Sequence, residues 1–308
     1  MGGPLLWPAS EPWPYCDGPH DALGSPVSLE GVRLGRRIRA AALSRPHDNP
    51  RFPPFTAEEL EIRRRIGVGC PWPEGPVAML PAAQLYLRDV PLLRPPGQAD
   101  VLQVLWCPFD HGNLFPQPVL YWRSAAEITS VLTDPPEPTA VQYDWYLPEP
   151  CVLHPELVTE YPNTLELSED LQEQVGRWSA RQAGKAIADS REAIDYAAGT
   201  DELYWNELSI APGWKAGGWS RWGRTDPVAE TCPACDSVMV PLLTIDSTEW
   251  DDDTKPSWIP YEDQDRTEPS ASWLDPQDPA MIQISDGDTL QLYACPVSPS
   301  HPHTARVQ

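Results

Sequence analysis

A short segment that occurs twice in this chain constrains its fold more than any other feature. Residues Asp100–Pro108 and Asp288–Pro296 share the pattern D-x-L-Q-[V/L]-x-x-C-P. Two further pairs of similar segments precede them in the same order: Met79–Leu85 with Met239–Ile245, and Gly67–Trp72 with Gly217–Trp222. Ordered self-similarity indicates a repeated structural unit. The sequence therefore predicts an internal duplication, and the alternative is that short strands in a Trp-rich chain happen to look alike.

The repeated segments have the pattern of strands. Leu102, Val104 and Trp106 alternate with their neighbours in the period of two that a strand with a buried face requires. We therefore expect Leu102 and Val104, and their counterparts Leu290 and Leu292, to lie in the core. Proline makes up 39 of the 308 residues, more than twice the usual share of about 5%. Because proline is costly inside helices, the sequence predicts a β-rich α+β fold.

The distribution of proline divides the chain into four segments. Residues 1–55 are predicted to be a loop-rich arm that covers the body, since Trp7 and Trp13 would otherwise be exposed. Residues 56–165 form a first, degenerate β-rich repeat, and residues 201–308 form the second. Between them, residues 166–200 contain no proline and are predicted to be a helical connector centred on 168–198.

Local signals place further elements within the first repeat. A Thr cap at Thr56, early acidic residues and late basic ones predict a short helix that ends near Ile66. Val101–Trp106 and Val119–Arg123 have the composition of strands joined by a loop. Residues 132–165, dense in proline, are predicted to be irregular.

Cys232-Pro-Ala-Cys235 is the sharpest local motif, because a C-x-x-C turn presents two thiolates at the separation that Zn²⁺ needs. Cys295 with His301, or with His303 as the alternate ligand, would complete four ligands. A structural zinc is one interpretation, and unligated thiols are another. A redox pair is less favoured, since a strand-like segment rather than a helix follows the motif.

Cys107 and His111 are the first-half counterparts of Cys295 and His301, but no C-x-x-C precedes them. If the second half holds zinc, the first half is therefore predicted to lack half of the ligand set. A Cys/His pair is also compatible with a nucleophile and its base. The plainer interpretation is a buried thiol and a loop histidine.

An acidic segment follows the predicted strand at 239–245. Its candidate binding residues are Asp246, Glu249, Trp250 and Asp251, followed by Asp252 and Asp253. Such a segment could bind Ca²⁺ or dock a basic partner, and a solvated acidic loop is the default interpretation. The D-x-[DN]-x-[DN]-G pattern of an EF-hand is missing.

Charge and motif content narrow the function classes. A net charge of −23 argues against nucleic acid and anionic membrane as partners and is compatible with a basic protein client. We see no apolar run of membrane-spanning length and no signal peptide, so a cytoplasmic location is expected. The odd number of cysteines, seven, favours thiols or metal ligands over a disulfide framework. The G-x-S-x-G, H-E-x-x-H and phosphate-loop motifs are missing, which favours a protein that is not an enzyme.

Taken together, the second-half motifs resemble a known family. The segments that carry the resemblance are Ala211–Trp222, Cys232–Met239, Leu242–Asp246 and Gly287–Pro296. They resemble the YwqG-like family of bacterial proteins, whose outline is K-x-G-G-x-P-x-W, C-x-x-C with a Met, L-L-x-I, and G-D-x-G-x-L with a final Cys. The resemblance implies a duplicated β-rich fold whose function is not established.

A more distant similarity is to the programmed cell death protein 2 group, which looks like dedicated escorts of a newly made ribosomal protein. That similarity implies an acidic, non-enzymatic binder of a basic client. The chain departs from both patterns at Gly218-Trp219-Ser220, where G-x-P is usual, and at Ser298, where a last Cys often lies. The second departure leaves His301 or His303 as the fourth ligand.

Three function classes remain open from the sequence. The leading hypothesis is a non-enzymatic binding or chaperone-like adaptor with a structural zinc. The alternatives are a zinc- or cysteine-dependent enzyme that uses Cys107 and His111 or the Cys232/Cys235 site, and an immunity-type protein that binds a basic toxin.

Overall fold

The computed structural model describes residues 1–46, 53–112, 114–189, 202–251, 254–264 and 277–308. The chain forms two units. Unit 1 comprises Met1–Pro155 and Pro260–Gly287, and unit 2 comprises Glu156–Ile259 and Asp288–Gln308. Both units combine helices with antiparallel sheets, so the α+β class is confirmed.

The strands of the described residues are β1 Tyr15–Cys16, β2 Val27–Ser28, β3 Val77–Ala78, β4 Leu80–Tyr86, β5 Val101–Asp110, β6 Pro116–Arg123, β7 Ala140–Val141, β8 Lys215–Ala216, β9 Val240–Asp246, β10 Thr289–Ala294 and β11 Thr304–Val307. The helices are α1 Leu29–Leu43, α2 Ala57–Gly67, α3 Glu169–Asp189, α4 Glu202–Tyr204, α5 Lys255–Trp258 and α6 Tyr261–Gln264. No helix of the described part of the chain is both long enough and apolar enough to cross a membrane.

The sheet β4-β5-β6 forms the centre of unit 1. Strand β5 is buried along its whole length, and Leu102 and Val104 are fully inaccessible to solvent. Both predicted strands and both predicted core residues of this half are therefore confirmed. Burial on both faces explains why β5 is almost continuously apolar.

The N-terminal segment contains a helix that the sequence prediction of a loop-rich arm missed. Helix α1 begins after Ser28, whose hydroxyl accepts a hydrogen bond from the backbone N–H of Gly31. Its buried side includes Leu29, Val32 and Ile38, a helical spacing that the surrounding proline, glycine and aspartate obscure. Elsewhere the segment does cover the body, as predicted, because Trp7 and Trp13 are buried.

Helix α2 confirms the predicted short helix. The Thr56 side chain accepts from the Glu59 N–H, and the Glu59 carboxylate accepts from the Thr56 N–H, which completes a capping box. Arg64 and Arg65 in the last turn suit the helix dipole.

Unit 2 is built on the sheet β11-β10-β9-β8. Leu290 and Leu292 on β10 are fully buried, as predicted. Helix α3 accounts for the predicted helical connector as far as Asp189, and residues 190–201, where that prediction continues, lie outside the described residues.

The two sheets pair their strands in the same register. Leu85 pairs with Leu102 in unit 1, and Ile245 pairs with Leu290 in unit 2. Both pairings also shift by one residue at matching positions, so that Ala82 and Leu242 are left out of register. The residues that follow Trp106 and Ala294, namely Cys107 and Cys295, thus hold matching places in the two sheets.

Candidate metal centres

Two groups of cysteine and histidine side chains converge, one in each unit. The first cluster is Cys16, His20, Cys107 and His111, and the second cluster is Cys232, Cys235, Cys295 and His301. In each cluster one ligand atom per residue lies within 4.8 Å of all the others. Both groups are therefore able to hold a metal ion.

A tight turn presents the two cysteines of the C-x-x-C motif. The Cys232 carbonyl accepts hydrogen bonds from the N–H groups of Cys235 (3.3 Å) and Asp236 (2.9 Å). Asp236 has φ of 56°, a left-handed conformation that Asp tolerates better than most residues. The turn points both sulfur atoms to the same side, towards the end of β10.

Cys295 and His301 approach this turn from the other side. Cys295 follows the last residue of β10, and His301 lies in the loop before β11. The four residues that the sequence proposed as metal ligands are thus brought together. His303, proposed as an alternate, is not part of the cluster.

The separations in the second cluster fit a tetrahedral ion. His301 Nδ1 lies 3.3 Å from Cys295 Sγ and 3.5 Å from Cys232 Sγ, and the Sγ atoms of Cys235 and Cys295 are 3.5 Å apart. Zinc bonds of about 2.3 Å to sulfur and about 2.0 Å to nitrogen place neighbouring tetrahedral ligands roughly 3.3–3.8 Å apart. All three cysteines are free thiols, and the 3.5 Å between the Sγ atoms of Cys235 and Cys295 is well beyond the length of a disulfide bond, about 2.05 Å.

The surroundings of Cys235 favour the thiolate that a metal needs. The hydroxyl and backbone of Ser237 stabilise the anion and lower the pKa of Cys235 to about 6. The pKa of His301 is raised, first by its hydrogen bond with Cys295 and then by that with Cys235. The cluster thus combines a thiol that ionises readily with a histidine that keeps its proton to higher pH than usual, and a metal ion would have to displace that proton.

The N-terminal arm completes the first cluster. Cys16 ends β1, which pairs with β3, and His20 lies in the irregular segment that follows β1. Cys107 lies within β5, and His111 follows its last residue. The ligands that the first half lacks by sequence therefore come from residues 16–20, within the predicted loop-rich arm.

The contacts in the first cluster cross between its two halves. Cys107 Sγ lies 3.3 Å from His20 Nε2, and Cys16 Sγ lies 3.6 Å from His111 Nε2. A signal for this arrangement was present in the sequence, since Cys16–His20 and Cys107–His111 share the spacing C-x-x-x-H.

The same geometry opposes a nucleophilic role for Cys107. Its side chain is fully buried, and a hydrogen bond with Cys16 raises the pKa of Cys107, followed in effect by burial. The hydrogen bond with Cys107 in turn lowers the pKa of Cys16 to about 3. Since the thiolate is the nucleophile, Cys107 is poorly placed for attack on a substrate.

The acidic segment that begins at Asp246, the last residue of β9, is less exposed than a docking face requires. Asp246 is 4% exposed and accepts hydrogen bonds from Arg221 (3.0 Å) and from the Gly213 N–H (3.2 Å). Trp250 is 5% exposed. These two proposed binding residues therefore pack inside unit 2, while Glu249 and Asp251 lie nearer the surface. Asp252 and Asp253 lie outside the described residues.

Comparisons of the chain with protein-family models, with curated proteins and with solved structures found no significant match.

Proposed function

We propose that this chain is a non-enzymatic binding protein, of the adaptor or escort type, whose unit 2 is held together by a structural zinc ion. The observation that carries the proposal is the closed set of four protein ligands in the second cluster. Catalytic zinc sites keep a position for water or substrate, whereas structural sites fill all four positions with side chains. Three thiolates and one imidazole belong to the second kind.

The position of the ligands explains what such an ion would stabilise. It would join the turn at Cys232, which precedes β9, to the end of β10 and to the loop before β11. Because a metal links segments that are distant in sequence, its binding free energy becomes folding free energy. The binding surface of unit 2 would then need zinc for its fold, although the ion itself would not contact the client.

A basic protein is the client that the charge favours. Acidic residues outnumber basic ones by 45 to 22, and complementary charge steers association and sets specificity. Because Asp246 and Trp250 are buried, we place the proposed contact with the client on the acidic surface in general rather than on the segment that contains these two residues.

An internal duplication, as in the YwqG-like family that the sequence resembles, would account for the two sheets. The matching registers of β4 with β5 and of β9 with β10, including the shift at Ala82 and Leu242, support it. An escort role like that of the programmed cell death protein 2 group is part of the same proposal.

Elemental analysis of the purified full-length chain tests the zinc. We expect Cys235→Ser to lose one equivalent of zinc relative to the wild type. Cys151→Ser, which removes a cysteine outside both clusters, is the matched control and should lose none. Equal zinc content in wild type and Cys235→Ser would overturn the site.

Capture of clients from native cells tests the binding role separately. We expect proteins with a strongly basic composition, released as salt screens the charges. Recovery of only acidic or neutral proteins, held equally at low and high salt, would contradict the proposed client class while leaving the zinc result intact.

A further inference from the structure

We propose that Cys16, His20, Cys107 and His111 form a second zinc site, of the Cys₂His₂ type, that fastens the N-terminal arm to the sheet of unit 1. All four ligands belong to unit 1, so the site is separate from the zinc proposed for unit 2, and only the comparison of the two clusters rests on that proposal. The assignment rests on three separate features: the ligand geometry, the burial of the donors, and the matching places of the two clusters.

The ligand geometry fits one ion between the two chain segments. The sulfur–nitrogen distances of 3.3 Å and 3.6 Å each join one residue of the arm to one residue of β5 or its end. Both lie in the range of roughly 3.3–3.8 Å expected between tetrahedral zinc ligands. Two thiolates and two neutral imidazoles would also balance the charge of Zn²⁺.

The surroundings of the donors exclude most of the solvent. Cys107 is fully buried, and the other three side chains are partly buried. The His20 ring lies 5.1 Å from that of His111 and 5.3 Å from that of Phe109, measured between centroids. The N–H of Gly18 also donates to Cys16 Sγ at 3.4 Å, which is a partner that a metal thiolate accepts.

The strongest argument is the match with the second cluster. Cys107 follows Trp106 and Cys295 follows Ala294, and Trp106 and Ala294 hold matching positions in their sheets. Cys16 pairs with Val77 just after Tyr15 pairs with Ala78, and the residue before Cys232, Thr231, pairs in the same antiparallel sense with Val238. The N–H of Met79 bonds to the carbonyl of Pro14, as that of Met239 bonds to Glu230.

Two cysteines therefore occupy matching places in each unit, whereas the remaining two ligands differ in spacing and one of them also differs in kind. His20 stands where unit 2 uses Cys235, and His111 stands where it uses His301. Unrelated packing of thiols and imidazoles gives no reason for two such sets at matching places, whereas a metal in each unit does.

A zinc ion here would fix the part of the arm that follows β1. Beyond β1, the described hydrogen bonds include that of the Asp21 N–H to the Asp110 carbonyl at 2.8 Å. Further towards the N-terminus, the arm is held independently by the buried Trp7 and Trp13. Loss of the metal should therefore loosen residues near 15–21 without releasing residues 1–14.

Zinc stoichiometry of the full-length chain is the first test. We expect two zinc ions per wild-type chain by native mass spectrometry, one in His20→Ala, one in Cys235→Ser, and none in the double variant. Cys70→Ser removes a cysteine outside both clusters and should keep two. A wild-type ratio of one that falls to zero in Cys235→Ser and is unchanged in His20→Ala would overturn the proposal without affecting the site in unit 2.

A rescue variant guards against loss of zinc through misfolding. His20→Cys converts the first cluster to the ligand types of the second, and we expect it to keep two zinc ions. In the cobalt-substituted protein it should also strengthen the thiolate-to-metal absorption relative to wild type, because one more sulfur is bound. Retention of two ions with unchanged absorption would show that residue 20 is not a ligand and would contradict the assignment.

Hydrogen exchange provides a readout that does not depend on counting ions. In His20→Ala we expect faster exchange for peptides that cover residues 15–21 and unchanged exchange for peptides around Leu6 and within β10. Unchanged exchange at 15–21 in a variant that has lost one zinc would contradict the fastening role.

Discussion

Replacement of Gln103 by leucine should destabilise unit 1 by roughly 2–4 kcal/mol, which is the cost of stranding buried polar partners less the gain from added apolar burial. The Gln103 side chain is fully buried, and its Nε2 donates to the Leu6 carbonyl and to Gln84 Oε1, both at 2.8 Å. Its Oε1 accepts from Arg123 Nε, also at 2.8 Å.

The magnitude follows from which groups lose a partner. The Gln84 oxygen still accepts from the Leu6 N–H at 2.7 Å. The Leu6 carbonyl and Arg123 Nε each lose their hydrogen bond to the Gln103 side chain. A buried polar group left without a partner costs about 1–3 kcal/mol. Leucine fills nearly the same volume as glutamine, so a cavity contributes little.

Urea denaturation gives the overall loss, and hydrogen exchange locates it. Because two units need not unfold together, exchange of peptides around Leu6 and within β5 should increase more than exchange within β10. Gln117→Leu makes the same chemical change at an exposed residue of β6 and should stay within about 0.5 kcal/mol of wild type. A loss below about 1 kcal/mol in Gln103→Leu, or equal acceleration in both sheets, would refute the reasoning.

Three further outcomes are expected. Leu290→Ala should cost about 2–5 kcal/mol by denaturant unfolding, because the side chain is fully buried, and a loss under 1 kcal/mol would mean that β10 is not central. Gly218→Ala should lower the thermal midpoint of unfolding, because φ is +76° and the new Cβ would meet the Glu160 carboxylate. An unchanged midpoint would contradict the left-handed backbone conformation at Gly218. We expect NMR to give Glu59 a pKa of about 2, lowered first by its hydrogen bond with Arg45 from the ordinary 4.5, so the stabilisation is present above about pH 4.5 and is lost as pH falls towards 2. In Arg45→Gln its pKa should rise, and an ordinary value in the wild type would refute the pairing.

Elements marked by local or repeated patterns were predictable from the sequence. Leu102 and Leu290 follow from alternation within a repeated segment, and the Thr56 helix follows from its own cap. The four residues of the second cluster were also proposed together, because the C-x-x-C spacing names two ligands and the repeat places Cys295 beside them.

What the sequence did not predict depends on contacts between distant residues. Cys16 and His20 come close to Cys107 and His111 only when β1 pairs with β3, and no local sequence pattern predicts that pairing. Trp250 and Asp246 read as surface residues because they stand in an acidic run, yet Arg221 and burial in unit 2 decide their place. The charge pattern of a sequence does not show whether a residue near the end of a strand faces the core or the solvent.

The chain order of the two units also decides how this protein can be made and divided. Residues 260–287 belong to unit 1, although β9 of unit 2 is synthesised before them and β10 after them. Neither unit is therefore complete when the ribosome reaches residue 259, and each acquires a further segment only after that point. A fragment cut after residue 155 would lack part of unit 1. An isolated unit 1 would have to carry residues 260–287 through a new linker.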